Sequence, residues 1–241
     1  IMLTKKIYGL IGKDIDYSFS RNYFNSKFKK LRILENEYKN FELKNISDFR
    51  KINLSNIYGF NVTIPYKEEI IPLLDEISDE ASRIGAVNTI KIINGKLKGY
   101  NTDHIGFSKS LKNKKYNHAL IFGYGGASKA IMFSLTKSKI EFKVVSRQMR
   151  DDSINYDNLE KEILNSDLII NTTPLGTYPN IKNKIPIPYN LINNKHTCYD
   201  LIYNPIKTSF LNECEKKGAI IKNGLEMLEL QAEASWDIWN S

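Results

Sequence analysis

The chain has 241 residues, 41% of them hydrophobic and 26% charged, the composition of an ordinary globular protein with room for one large domain or two small ones. No apolar run reaches the roughly 18 residues of a membrane span, and Met2 to Lys6 lead straight into a strand-like segment, so neither a membrane span nor a signal peptide is expected. The formal net charge of +8 favours anionic ligands, but the lysines are spread along the whole chain without a nucleic-acid-binding signature, and the excess reads as a solvated surface.

Lys6 to Gly12 reads as a buried strand ending at a glycine. Phe24, Phe28 and Leu31 recur at helical spacing and predict a helix over Arg21 to Leu34. Ile57 to Ile64 is a second β-rich run, stopped by Pro65, and a helix is predicted from Lys67 to Glu76. Asn88 to Tyr100 has the pattern of a hairpin whose turn is Ile93-Asn94-Gly95-Lys96; Asn-Gly supplies the two left-handed residues of a type I′ turn.

The rhythm changes near Asp103. A helix-like segment, Ile105 to Lys112, precedes five short apolar runs: Ala119 to Phe122, Phe142 to Val145, Leu168 to Asn171, Thr197 to Leu201 and Ala219 to Ile221. Helix-like spacers separate several of them, and strands alternating with helices indicate a parallel sheet. The polar stretch from Ser146 to Asp167 is short, which predicts one shrunken crossover helix; Glu226 to Trp239 is amphipathic. Cys198 and Cys214 lack metal-type spacing and read as reduced core thiols of a cytosolic protein. His104, His118 and His196 also lack such spacing and read as structural; no metal is expected.

Gly123-Tyr124-Gly125-Gly126-Ala127-Ser128 follows a predicted strand and opens a predicted helix. In that context missing Cβ atoms let the backbone approach a pyrophosphate at the helix N-terminus. Ser128 stands where many such turns have a third glycine or an alanine, and it is still small. The next strand ends in Ser146-Arg147, with Arg150 close behind, where NAD sites usually carry a carboxylate for the ribose 2′-hydroxyl. A polar, cationic end suits the 2′-phosphate of NADP, although Asp151 and Asp152 offset part of the charge.

Further segments stand in a definite order. Tyr8-Gly9-Leu10-Ile11-Gly12 leads to Ser18-Phe19-Ser20, then to Asn61-Val62-Thr63-Ile64-Pro65-Tyr66-Lys67, Gly85-Ala86-Val87-Asn88-Thr89 and Asn101-Thr102-Asp103. After the glycine turn come Asn171-Thr172-Thr173-Pro174-Leu175-Gly176, Tyr199-Asp200-Leu201-Ile202-Tyr203-Asn204-Pro205, and Gly224-Leu225-Glu226-Met227-Leu228 with Gln231. At these spacings, from about residue 6 to residue 236, the chain resembles the shikimate/quinate dehydrogenase family.

The resemblance implies an α/β protein with an N-terminal substrate domain, a C-terminal Rossmann-like dinucleotide-binding domain and an active site in the cleft between them. Residues 1–103 would form the substrate-binding and catalytic domain, with the C-terminal helix 226–241 packing back on it, and residues 104–225 the NADP-binding domain. The implied reaction is the reversible NADPH-dependent reduction of 3-dehydroshikimate to shikimate, in aromatic amino-acid biosynthesis. Quinate or dual activity, or a non-catalytic ligand-binding paralogue, are the alternatives. A cytoplasmic monomer or homodimer is implied, with a small-molecule substrate and neither nucleic acid nor membrane as partner.

Residue roles follow the same resemblance. Lys67 and Asp103 match the catalytic pair; read alone they are a helix-start lysine and a helix cap. Ser18 and Ser20 match the pair that holds the substrate carboxylate, and at i, i+2 on an extended strand their hydroxyls would point to one side. Thr63, Asn88 and Tyr203 match residues that bind the substrate's hydroxyls or carboxylate, with Asn61 as support. Gln231 is a lone amide on the helical face of Met227, Leu228, Ala234 and Ile238, and such an amide needs a polar partner. Leu201 and Gly224 match positions beside the nicotinamide, joining Gly123, Tyr124, Gly125, Gly126, Ala127, Ser146, Arg147 and Arg150 in the cofactor set. The chain departs from the family at Asp16-Tyr17 and Arg21, around the serine pair.

Overall fold

The structure is a computed structural model that describes residues 5–16, 18–112, 114–148, 150, 152–157 and 159–241. Tyr17 beside the serine pair, Asp151 after the cationic strand end, and Met2 to Thr4 lie outside the described residues. The chain divides into two compact units, Ile1–Thr102 with Ala232–Ser241, and Asp103–Gln231.

The first unit contains β1 (Lys6–Gly12), α1 (Phe19–Lys30), β2 (Asn36–Glu42), β3 (Ile57–Val62), β4 (Glu76–Ile77), α2 (Asp79–Ile84), β5 (Thr89–Ile93) and β6 (Lys96–Tyr100). These strands form one six-stranded sheet in the order β2-β1-β3-β5-β6-β4. β1 is parallel to β2 and β3, whereas β5 runs antiparallel to β3 and β6. Both faces are covered. Ile11, Phe60, Val62, Ile70, Val87 and Ile90 pack on one side, and Tyr8, Leu10, Phe24, Phe28, Tyr38 and Trp239 on the other. That explains why β1 is a continuous apolar run rather than an alternating one. The predicted hairpin is present, with Asn94 and Gly95 at φ 51° and 77°.

Two sequence expectations change here. Helix α1 starts at Phe19 and stops at Lys30 rather than spanning Arg21 to Leu34, because Ser18 caps it and the chain turns left-handed at Arg32, leaving Leu34 exposed. Lys67 to Glu76 is not an α-helix but a series of turns, a 3₁₀ helix over Ile71–Leu73 and the start of β4. Pro72 has no N–H to donate to the Glu68 carbonyl, which accepts instead from the Ile71 N–H at 3.2 Å.

The second unit begins with α3 (Asp103–Ser110), β7 (His118–Phe122), α4 (Gly126–Lys137), β8 (Glu141–Val145), β9 (Ser153–Ile154) and α5 (Glu160–Asn165). It continues with β10 (Leu168–Asn171), β11 (Thr197–Asp200), α6 (Ser209–Lys216), β12 (Ile220–Lys222) and α7 (Leu225–Asn240), whose last turns belong to the first unit. The sheet order is β12-β11-β10-β7-β8-β9, and every pairing is parallel. The shrunken crossover is the six-residue α5 behind the two-residue β9. Alternate residues of β7 serve opposite cores: Leu120 and Phe122 pack with Ile169 and Phe210, while Ala119 and Ile121 pack with Phe107, Ile131 and Leu135. Cys198 and Cys214 are free thiols buried in the first of these. Among the described residues, no helix is long and apolar enough to cross a membrane.

Candidate active site

In the first unit, polar side chains gather where β3, β5, β6 and the end of α7 meet. Asn61, Asn88, Thr89, Thr102 and Ser235 are all buried. The Tyr38 hydroxyl donates to Asn61 Oδ1 at 2.8 Å, and Ser20 stands near enough to lower the Tyr38 pKa, so Ser20 and the amide cluster share one buried phenol as neighbour. Burial raises the Tyr38 pKa well above its ordinary value, and Ser20 opposes that only in part. Tyr38 therefore stays a neutral donor.

The serine pair does not lie on an extended strand. Ser18 is the N-cap of α1, its hydroxyl accepting from the Arg21 N–H at 3.3 Å, and Ser20 lies within the first helical turn. Both are buried, at 8% exposure each, so they remain in one polar neighbourhood without the expected side-by-side display. A serine before a helical run satisfies an orphan backbone N–H that an extended chain would leave to other partners.

Thr63 and Lys67 flank a turn held from both ends. The Thr63 N–H donates to the Ile11 carbonyl at 2.9 Å, and the Lys67 carbonyl accepts from the Val87 N–H at 2.8 Å. Between them Tyr66 is buried, its hydroxyl donating to the Leu43 carbonyl at 2.8 Å. Lys67 thus stands beside the segment that carries Asn88, on backbone pinned by β1 and by the loop before β5.

In the second unit Asp103 opens α3 and is buried. One turn later, a Cβ on Gly106 would lie 2.5 Å from the Met227 carbonyl oxygen and 2.9 Å from the Gln231 nitrogen, so α3 presses directly on the α7 backbone. Asp103 and Gln231 are brought to the same helix crossing. Gln231 is buried and donates to the Leu228 carbonyl at 3.0 Å. Its helix is covered more widely than one face, since Ala232, Ser235 and Trp239 are buried along with Met227 and Ala234.

The sheet register sets Phe122, Val145, Asn171 and Asp200 level at the carboxyl ends of their strands. The residues that follow them, Gly123, Ser146, Thr172 and Leu201, therefore share one edge, where parallel α/β sheets bind ligands. Asp200 is fully buried and accepts from Thr208 Oγ1 at 2.6 Å, the Ile202 N–H at 3.1 Å and Asn171 Nδ2 at 3.1 Å. Burial pushes its carboxyl up to about 6 despite those bonds. Asn171 Oδ1 in turn accepts from the backbone and hydroxyl of Thr173. Neither Asp200 nor Asn171 was singled out by role in the sequence, although both stand in the ordered segments. Tyr203 follows on the same loop, half-buried, and its pKa is raised by burial.

The residues at this edge fit a dinucleotide. Nothing lies within 4 Å of a Cβ built on Gly125, so the turn faces open space at the start of α4. That start has no side-chain cap and no acidic residue in its first turn, which leaves N–H groups and a positive dipole end suited to a pyrophosphate. Ser128, where many such turns have a third glycine or an alanine, is buried and donates to the Gly123 carbonyl at 2.9 Å, tying turn to helix. Ser146 is buried, Arg147 and Arg150 are exposed, and the Arg150 guanidinium lies 5.0 Å from the centre of the Tyr124 ring. These features define an α/β dinucleotide-binding protein with a second, polar-centred unit.

Comparison with known proteins narrows the class. The family model described as shikimate dehydrogenase substrate binding domain matches residues 10–90. A protein of Methanococcus maripaludis named shikimate dehydrogenase (NADP(+)) is 42% identical over 255 residues, covering 97% of this chain and 91% of that protein. Shikimate dehydrogenase from Aquifex aeolicus superposes with a TM-score of 0.89 at 35% identity, covering 100% of this chain and 94% of that one. The Thermus thermophilus enzyme, solved in complex with NADP(H) and shikimate, gives a TM-score of 0.86 at 30% identity over 97% of this chain and 92% of that one. The chain belongs to the shikimate dehydrogenase family.

Proposed function

We propose that this chain catalyses the reversible NADP-linked reduction of 3-dehydroshikimate to shikimate, with the first unit binding the substrate and the second the dinucleotide. The observation that carries the reading is the 97% coverage by a relative named for this activity and cofactor, which accounts for both units. NADPH, when bound, supplies the hydride. The remaining work falls to side chains of the chain itself.

As the substrate carbonyl carbon is reduced, its oxygen gains negative charge and must receive a proton or cationic stabilisation. Lys67 and Asp103 handle that proton, Lys67 offering positive charge and Asp103 holding the reacting hydroxyl. Ser18 and Ser20 donate to the substrate carboxylate, and Thr63, Asn88, Tyr203 and Gln231 bind its remaining oxygens. Gly123, Tyr124, Gly125, Gly126 and Ala127 cradle the pyrophosphate. Ser146, Arg147 and Arg150 meet the 2′-phosphate, and Leu201 and Gly224 flank the nicotinamide. The unpaired thiols of Cys198 and Cys214 fit a reducing cytoplasm, and a monomer or homodimer is the assembly consistent with the family resemblance.

The test is an absorbance assay at 340 nm that pairs shikimate or quinate with NADP or NAD. Turnover with shikimate and NADP is expected. Turnover of quinate alone would move the chain to the sister activity, and no turnover of either acid would make it a ligand-binding paralogue.

A further inference from the structure

We propose that Ser235, on the C-terminal helix, is a positioning residue for substrate recognition, because it closes a ring of hydrogen bonds that fixes the amide of Asn88. The inference rests on the reading above, in which Asn88 meets the substrate. Ser235 is fully buried, as are Thr89 and Thr102, and Asn88 is 3% exposed. Asn88 Nδ2 bonds to Thr102 Oγ1 at 2.8 Å, Thr102 Oγ1 to Ser235 Oγ at 3.1 Å, Ser235 Oγ to Thr89 Oγ1 at 2.7 Å and Thr89 Oγ1 to Asn88 Oδ1 at 3.0 Å. Two longer bonds cross the ring, Thr102 Oγ1 to Asn88 Oδ1 at 3.2 Å and Thr89 Oγ1 to Thr102 Oγ1 at 3.3 Å.

Chemistry sets the orientation of the amide in this ring. Asn88 Nδ2 can only donate and Asn88 Oδ1 can only accept. Thr102 and Thr89 can each donate to Asn88 Oδ1, and the bonds among Thr102, Ser235 and Thr89 can run in either direction, so the ring is fixed at the amide rather than at the hydroxyls. Asn88 Oδ1 also accepts the Thr102 N–H at 2.7 Å, so both lone-pair directions are occupied. Whatever Asn88 meets beyond the ring, it meets as an N–H donor. A substrate oxygen is recognised by a donor whose orientation cannot flip while the ring is closed.

Ser235 makes the shortest of the links that extend the ring to Asn61, whose Nδ2 also donates to Thr89 Oγ1 and to the Asn88 backbone carbonyl, each at 3.3 Å. Asn61 Nδ2 donates to the Ser235 hydroxyl at 3.0 Å, and Asn61 Oδ1 receives the Tyr38 hydroxyl, which has Ser20 as a neighbour. One helix hydroxyl thus stands between the amide proposed to bind a substrate oxygen and the serine proposed to bind the carboxylate. Alanine at 235 keeps the helix and nearly all the volume, and removes the hydroxyl that meets Thr89, Thr102 and Asn61.

The experiment is steady-state kinetics of the wild-type chain, Ser235→Ala, Thr89→Val and the double variant, varying shikimate and NADP separately. Thr89→Val opens the same ring from the opposite side, so the inference stays testable if one variant folds poorly. Each single variant is expected to raise the KM for shikimate roughly five- to tenfold, the effect of a lost hydrogen bond, with the KM for NADP unchanged. The double variant should cost no more than the worse single one, since a ring opened once is open. An unchanged KM for shikimate in Ser235→Ala, parallel rises in both KM values, or full additivity would overturn the Ser235 inference alone. A wild-type chain inert toward shikimate would overturn the functional reading and this inference together.

Discussion

The carbonyl oxygen of Leu201 lies 1.9 Å from where a Cβ on residue 224 would stand, so Gly224 is the only residue type that lets the start of α7 approach the end of β11 this closely. The Gly224 N–H donates to the Ile202 carbonyl at 3.1 Å, so the approach is also hydrogen-bonded. Gly224→Ala should lose roughly 1–3 kcal/mol of stability through overpacking. It should also displace Leu201 and raise the KM for NADP more than that for shikimate. Urea unfolding together with both KM values checks this; a fully stable variant with normal NADP kinetics would show that the backbone yields freely.

Lys67→Ala should lower kcat by roughly 10²–10⁴-fold with a smaller effect on KM, the range for a positioned acid/base group. Near-normal turnover in the purified variant would remove Lys67 from proton handling.

Ser18 has two roles to separate, a cap seen in the structure and a carboxylate contact proposed from the family. Ser18→Asp keeps a good N-cap and adds a charge favourable to the helix dipole, so stability should stay within about 0.5 kcal/mol of wild type. The same charge repels a substrate carboxylate, and kcat/KM for shikimate should fall at least about tenfold, the loss of one charge-assisted bond. Thermal melts and kinetics on one preparation distinguish the roles; unaltered kinetics would leave Ser18 as a cap alone.

The cationic end of β8 predicts NADP over NAD by at least about tenfold in kcat/KM, the lower end for an exposed charge-assisted bond. Arg147→Ala should remove most of that preference while leaving NAD kinetics almost unchanged. Because Arg150 is held against Tyr124 on the same side of the turn, the Arg147→Ala, Arg150→Ala double variant should complete the loss. Equal use of NAD and NADP by the wild-type chain would refute the assignment.

Asp200 makes stability depend on pH in a predictable direction. Its folded pKa of about 6 lies above the ordinary 3.8, so the folded chain holds this proton where the unfolded chain has released it. The stabilisation is full below about pH 4 and is lost as pH rises through about 6. Asparagine does not titrate. The stability of wild type relative to Asp200→Asn should therefore fall by about 2 kcal/mol between about pH 4 and about pH 7. Denaturant melts of both proteins across that range measure it, and a constant difference would mean that the carboxyl titrates normally.

The elements legible in the sequence were those whose signal is local. β1 is one apolar run, the hairpin turn is written in Asn94-Gly95, and the glycine turn sits between a short apolar strand and a helix. The misread parts depended on a single competing group. Pro72 removes one donor and breaks the pattern that made Lys67 to Glu76 look helical, and the Ser18 hydroxyl starts α1 before its apolar spacing begins. The buried ring was out of reach for another reason: Ser235 meets Thr89 and Thr102 across 146 and 133 residues of sequence. The available hint was that Gln231 and Ser235 stand one turn apart on a helix otherwise rich in apolar residues.

Helix α7 leaves the second unit after Gln231 and enters the first at Ala232, so the first unit is discontinuous along the chain. Trp236 and Trp239 pack on the Tyr8 ring, and they also meet Phe28 and Phe24 respectively. During synthesis that aromatic cluster stays two indoles short, and Asn61 lacks its serine partner, until the ribosome has made all of the second unit. The unit that is begun first is therefore the one that is finished last. All six strands of the first sheet are made before β7, but the core on one of its faces is closed only by the last residues of the chain.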